Sequence, residues 1–264
     1  MSAAAADMSG AAPAAGGPIL VTGATGFRGR ALAQELVRRV TETHALAREG
    51  SPRGPLEPLA ITWHVGDLRD EAAIERAVAS IAARAKIVGT PARILHAAAL
   101  ISYRTRDRAL AREVNVRGTE RLLEAARRHG LGRFLHVSSV VTVGSCTGLE
   151  PLDETGTFNL GGLGVHYVDT KRAAEEKVLG VSRTIDAVVV NPGAIFGPVE
   201  RDSNTVRTIR RISEGRTPPF LPPGSVGVVG VEDAAQGTLL ALDRGRSGER
   251  YLLVESSLGT SELF

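Results

Sequence analysis

At 264 residues, with 43% hydrophobic and 23% charged side chains, the chain has the composition of a globular domain that buries a real core. Its net charge of +3 is spread along the length, with arginines and acids interspersed, which excludes a basic nucleic-acid-binding tail. The single cysteine, Cys146, excludes an internal disulfide and fits a reducing, cytoplasmic setting, and no stretch approaches the roughly eighteen consecutive apolar residues of a membrane span.

Residues 1–17 are rich in Ala and Gly and lack both a basic start and a strongly apolar stretch, so a disordered leader is expected there and not a signal peptide. Residues 19–22 are an apolar run ending in glycine, a buried strand. From 30 to 40, Leu32, Leu36 and Val40 recur every fourth position and mark a helix face. A second strand is expected over 44–47, a loop over 50–58 with its Gly and Pro breakers, and a third strand over 60–65. Residues 70–85 read as a helix with Ile74, Val78 and Ile81 on one face. A fourth strand over 93–96 precedes a long helix over 107–128, closed by Gly130. A fifth strand over 133–138, a helix over 167–179 and a sixth strand over 187–190, ending at Asn191-Pro192-Gly193, complete the alternation. Such alternation implies an α/β fold with a doubly wound, mostly parallel sheet. The Pro-, Gly- and Arg-rich stretch 199–228 breaks the rhythm and reads as an inserted loop-and-helix lobe, after which 232–242 returns to helix and 251–254 to strand. The expected division is a leader 1–17, a doubly wound domain 18–198 and a lobe 199–264, with 229–264 partly returning to the first domain.

Gly23, Gly26 and Gly29 fall between the first strand and the first helix in the spacing GxxGxxG. Glycines there permit a tight turn and let the backbone approach a pyrophosphate at the helix N-terminus, where free N–H groups and the helix dipole favour an anion. A glycine-rich turn is often only a turn, and here its strand–turn–helix context argues for a dinucleotide. The end of the second strand chooses between the two nicotinamide cofactors. An acid there takes the ribose 2′-hydroxyl of NAD, and an arginine the 2′-phosphate of NADP. The segment is Ala47-Arg48-Glu49, and Arg48 favours NADP(H) over NAD. The alternative leaves Arg48 in solvent and gives the ribose to Glu49. Arg28 either adds positive charge nearby or points to water.

An ordered series of motifs from residue 19 onward resembles the extended short-chain dehydrogenases, the NAD-dependent epimerase/dehydratase family. Thr22-Gly23-Ala24-Thr25-Gly26-Phe27 resembles the phosphate turn, and Gly66-Asp67-Leu68 the adenine loop with Asp67 near the adenine amino group. His96-Ala97-Ala98-Ala99 is similar to the loop along the middle of the cofactor, and Asn115-Val116-Arg117-Gly118-Thr119 to the helix motif whose Asn braces the site. Ser138-Ser139 followed by Gly144, Tyr167-Val168-Asp169-Thr170-Lys171, the loop from Asn191-Pro192-Gly193 to Pro198 beside the nicotinamide, and Val231-Glu232-Asp233 complete the series. Ala99-Leu100-Ile101-Ser102, Arg48, and the run from Gly248 to Leu253 resemble the dihydroflavonol-reductase-like branch. The resemblance implies a Rossmann-type fold and a homodimer pairing two long helices. Two departures stand out. Position 28, usually apolar in the family, is Arg, and the family usually continues beyond the point reached by Phe264, which implies a shortened substrate lobe.

The implied chemistry is hydride transfer at a carbonyl, whose oxygen needs a proton as charge develops. A free tyrosine, with a pKa of about 10, is poorly matched to neutral pH. Lys171 lies four residues after Tyr167, one helical turn away on the same face, and its ammonium favours the ionised phenol. Lys171 is also expected to grip the nicotinamide ribose, and Ser139 to hold the carbonyl oxygen against Tyr167. Single Tyr–Lys pairs at this spacing are mostly surface pairs, and a Ser pair after a strand is usually a turn, so it is their order among the other motifs that carries the assignment. His96 reads as structural, His166 as a pocket or surface residue, and the six histidines show no metal-ligand spacing. The arginines Arg104, Arg106, Arg108 and Arg112, and Arg207, Arg210, Arg211 and Arg216, either hold an anionic substrate such as a nucleotide sugar or are solvated helix faces. The expectation is an NADP(H)-dependent oxidoreductase acting on a small-molecule carbonyl or alcohol, with cofactor contacts from Gly23, Thr25, Gly26, Phe27, Arg28, Gly29, Arg48, Asp67, Leu68, Ala97, Ala98, Asn115, Tyr167, Lys171 and Pro192, and no nucleic-acid or membrane partner. Its rivals are a nucleotide-sugar epimerase or dehydratase with bound NAD, and a non-catalytic NADP-binding regulatory protein.

Overall fold

The structure is a computed structural model that describes residues 16–147, 150–198, 210–211, 213–216, 224–259 and 262. Most of the expected leader and most of the lobe over 199–228, Arg207 included, lie outside the described residues.

Seven parallel strands form the main sheet in the order β3-β2-β1-β4-β5-β6-β9. They are β1 (Ile19–Thr22), β2 (Thr43–Ala47), β3 (Ile61–Val65), β4 (Arg93–His96), β5 (Arg133–Val137), β6 (Ala187–Pro192) and β9 (Arg250–Leu253). The central strands are apolar on both faces because helices cover both. Ile19 and Val21 of β1 face α1 (Phe27–Arg38) and α6 (Val231–Arg244), in a core with Leu32, Leu36, Leu239 and Leu242. Leu20 faces the other way, toward Ile74 and Ile81 of α2 (Glu71–Val88) and Leu122 of α4 (Gly118–Arg128). The chain winds outward from β1 in both directions, so a crevice opens at the C-terminal ends of β1 and β4, where α/β sheets of this kind bind ligands.

The periodicity over 30–40 overshoots the helix. α1 closes at Arg38, with Thr41 N bonded to Leu36 O and Val40 N to Val37 O, at 3.1 and 2.9 Å. This reversal requires a left-handed residue, and Val40 supplies it at φ 55°, 91% exposed and off the buried face. The long helix expected over 107–128 is α3 (Arg108–Arg112) and α4 joined by a π-helical turn at Glu113–Arg117. That wider turn carries Asn115 inward, where it is 2% exposed.

A second sheet was not anticipated. β7 (Ala194–Phe196) pairs parallel with β8 (Ser225–Gly230), and β8 pairs antiparallel with β10 (Ser256–Gly259). The segment read as a nicotinamide loop is therefore partly strand, and β8 begins inside the stretch read as loop and helix.

Candidate active site

The chain leaves β1 and must turn at once to start α1. Gly23 makes the turn at φ 76°, and a Cβ there would lie 2.7 Å from the backbone of Ala98. At Gly29 a Cβ would lie 1.9 Å from Gly23 O, so only glycine lets α1 begin against the turn. Gly26 caps α1 with no side-chain hydrogen bond, and the first turn carries no acid. The first-turn N–H groups, which have no partner within a helix, are left for an external anion. This cradle fits the pyrophosphate of a dinucleotide.

A cavity of about 860 Å³ runs along the turn. At one end it is lined by Arg48, just beyond β2, with Ser51, Asp67, Leu68 and Arg69. Asp67 is held by Arg69 in a two-point pair, at 2.9 and 3.0 Å, and this guanidinium keeps its carboxyl below the usual range, with Arg48 adding to the effect. Gly118 lets α4 close onto this loop, because a Cβ there would meet Leu68 Cβ at 2.9 Å.

The middle is lined by Ala97 and Ala98 and braced from behind. Thr119 donates to Asn115 O (2.6 Å), so it accepts from His96 Nε2 (2.9 Å), and His96 Nδ1 accepts from Thr22 Oγ1 (2.6 Å). Ala98 N in turn donates to Thr22 Oγ1 at 3.3 Å. Burial first, and the charge of Lys171 second, push His96 down to about 3, so it is a neutral link and structural as expected. Asn115 accepts from Leu100 N (2.7 Å) and donates to Leu100 O and Thr170 Oγ1 (both 3.1 Å), tying the loop after β4 to α5 (His166–Gly180).

At the far end Ser139 and Tyr167 line the same cavity, with the glycine turn beside them. Tyr167 is 7% exposed and meets Tyr103 edge-on at 5.8 Å between ring centres. Lys171 is brought one turn from Tyr167, but its ammonium is turned to Val137 O (2.7 Å) and lies 3.4 Å from His136 Nε2, and it does not line the cavity. Burial, then repulsion from Arg28, push Lys171 down to about 7, while Glu175 resists. Ser138 points away, to the fully buried Glu175. That carboxylate accepts from Ser138 and Thr142 (both 2.5 Å) and Asn191 (2.8 Å) and pairs with Arg250 of β9 (3.2 Å).

The cavity lining differs from several expected contacts. Pro192 ends β6, buried and in register with Leu253, and the cavity is lined instead by the residues from Gly193 to Gly197. Asn115 and Lys171 stand behind the cavity wall. Arg28 is half-buried and lines the cavity, close enough to Tyr167, Lys171 and His136 for its charge to act on them. His166 is buried outside the cavity. Arg104, Arg106, Arg108 and Arg112 are exposed. Arg69, Ser51, Tyr103 and Glu175 were missed. Glu175 was findable, because it extends the Tyr167–Lys171 spacing by one more turn on the same helix face.

Crevice, glycine turn and cavity together are the layout of a dinucleotide-binding α/β enzyme. The sequence profile of the NAD dependent epimerase/dehydratase family matches residues 19–253. The chain belongs to this family and is an NAD(P)-dependent enzyme of the short-chain dehydrogenase/reductase type. It is 37% identical over 239 residues to sterol demethylase protein B of Methylococcus capsulatus, covering 89% of this chain and 68% of that protein. It is 31% identical to a Synechocystis protein named for dihydroflavonol 4-reductase, covering 88% and 66%, in keeping with the branch resemblance. The chain thus spans about two thirds of the length of these curated relatives. The crystal structure of a Thermus thermophilus UDP-glucose 4-epimerase complexed with NAD superposes with a TM-score of 0.78 at 25% identity, covering 93% of this chain and 80% of that one. Among the described residues, no helix is long and apolar enough to cross a membrane.

Proposed function

We propose that the protein is an NADP(H)-dependent oxidoreductase that reduces the ketone or aldehyde of a small organic substrate, or oxidises the alcohol. The observation carrying this reading is the continuity of one cavity from Arg48, past the glycine turn, to Ser139 and Tyr167. Its volume suits a cofactor and a small substrate. Arg48 gives the adenosine end the charge a 2′-phosphate needs. The nicotinamide, when bound, supplies or accepts the hydride. Ser139 Oγ donates to the substrate oxygen and fixes it against the phenol. Tyr167 delivers the proton as the oxygen gains charge, and the cations around it stabilise the phenolate it leaves. Asn115 and Glu175 keep the surrounding turns rigid. Apolar lining from Tyr103, Ile195, Phe196 and Val226 favours a substrate with an apolar body, in keeping with the sterol-related name of one relative. By the family resemblance the working form is a homodimer.

Tyr167→Phe removes only the proton donor. It abolishes turnover and leaves NADPH affinity nearly unchanged, as read by carbonyl-dependent rate and cofactor titration. A variant retaining more than about a tenth of the wild-type rate takes Tyr167 out of this role, since a general acid contributes on the order of a hundredfold or more.

A further inference from the structure

Arg28 is the second residue of α1, in the turn that cradles the pyrophosphate, between Phe27 and Gly29. Its side chain enters the cavity at the end lined by Ser139 and Tyr167. Among the described residues its guanidinium has no hydrogen-bond or ion-pair partner. An arginine stays charged even when burial lowers its pKa, as here. The buried groups beside it, Lys171 and His136, are basic, and Glu175, the buried acid on the helix of Lys171, is already taken by Ser138, Thr142, Asn191 and Arg250. The catalytic end therefore carries positive charge that no described residue neutralises.

The two redox forms of the cofactor have the same phosphates and differ by one positive charge on the nicotinamide ring. We propose that Arg28 makes the site discriminate between them, binding NADPH more tightly than NADP+, so that the reduced cofactor loads and the oxidised one is expelled as product. This rests on the dinucleotide reading of the cavity. Like charges even roughly 8 Å apart, at an effective dielectric of about 20, change affinity by more than about tenfold.

The test is titration of the wild type, Arg28→Leu and Arg28→Lys with NADPH and with NADP+ by calorimetry, with far-UV circular dichroism to confirm the fold. The wild type is expected to favour NADPH by at least about tenfold. Arg28→Leu should bring the two affinities within about threefold by tightening NADP+, a gain that neither a lost contact nor misfolding can produce. Arg28→Lys should keep the wild-type ratio. Equal affinities in the wild type, or an unchanged ratio in Arg28→Leu, overturn the inference and leave the cofactor reading standing. A wild type that binds neither form overturns both.

Discussion

Replacing Glu175 by glutamine keeps the size of a fully buried side chain and removes its charge. Four groups converge on the carboxylate. Ser138 Oγ, Thr142 Oγ1 and Asn191 Nδ2 reach Oε2 at 2.5, 2.5 and 2.8 Å, and Arg250 Nη1 reaches Oε1 at 3.2 Å. An amide can present its oxygen to the first three only by turning its NH2 toward the guanidinium, donor against donor. Hydrogen bonds to a charged group contribute about 1.5–3 kcal/mol each, and breaking a buried ion pair costs about 3–5 kcal/mol, so Glu175→Gln is expected to destabilise the fold by about 2–4 kcal/mol. The assay is urea unfolding with the denaturant slope compared between proteins, and Arg250→Met and the double variant complete a cycle. A coupling of at least about 1 kcal/mol between Glu175 and Arg250 is expected. Because Asn191 also donates to Ser139 O, the variant should lower kcat more than it raises KM. A loss below about 0.5 kcal/mol, the range of an ordinary surface substitution, refutes the claim that this carboxylate holds the Ser139 turn.

Arg48→Ala should weaken NADPH by about 1.5–3 kcal/mol and leave NADH nearly unchanged, since an Arg–phosphate pair is charge-assisted, and equal wild-type affinities for the two cofactors contradict the assignment. Lys171, at 1% exposure, has its pKa lowered from 10.5 to about 7. The unfolded chain therefore holds the extra proton between those values, and the stability contributed at this residue rises with pH through that window, by up to about 1.4 kcal/mol per unit. Subtracting the stability of Lys171→Met from that of the wild type isolates this contribution, and a difference that stays flat from pH 7 to 10.5 contradicts it.

The sequence was most legible where a strand is buried on both faces and ends in glycine. The bounds read for β1 coincide with those observed, because its apolar run stops at Gly23, and those read for β4 coincide where His96 interrupts the apolar run. The small sheet escaped notice because β7 is only three residues long, the three valines of β8 are interleaved with Gly and Ser, and β10 is rich in Ser and Gly. The π-helical turn at Asn115 changes no residue type and leaves no mark on a 3.6-residue period. In the site, the glycine turn was marked by its strand–turn–helix context, and Ser139 and Tyr167, which line the same cavity, by their order among the other motifs and not by local spacing. The orientations of Lys171 and Arg28 were not, since they depend on which buried neighbours the fold assembles around α5. Arg69 went unread because its use comes from pairing with Asp67.

The central claim is that external NADPH is consumed in reducing a carbonyl. The direct measurement is nicotinamide absorbance during incubation of the protein with NADPH and a panel of aromatic, aliphatic and steroid-like ketones and aldehydes, with the alcohol quantified in parallel. A steady fall in absorbance is expected, matched mole for mole by alcohol with at least one member of the panel. Tightly bound NAD, interconversion of nucleotide-sugar isomers and no net change in absorbance would contradict it and make the protein an epimerase.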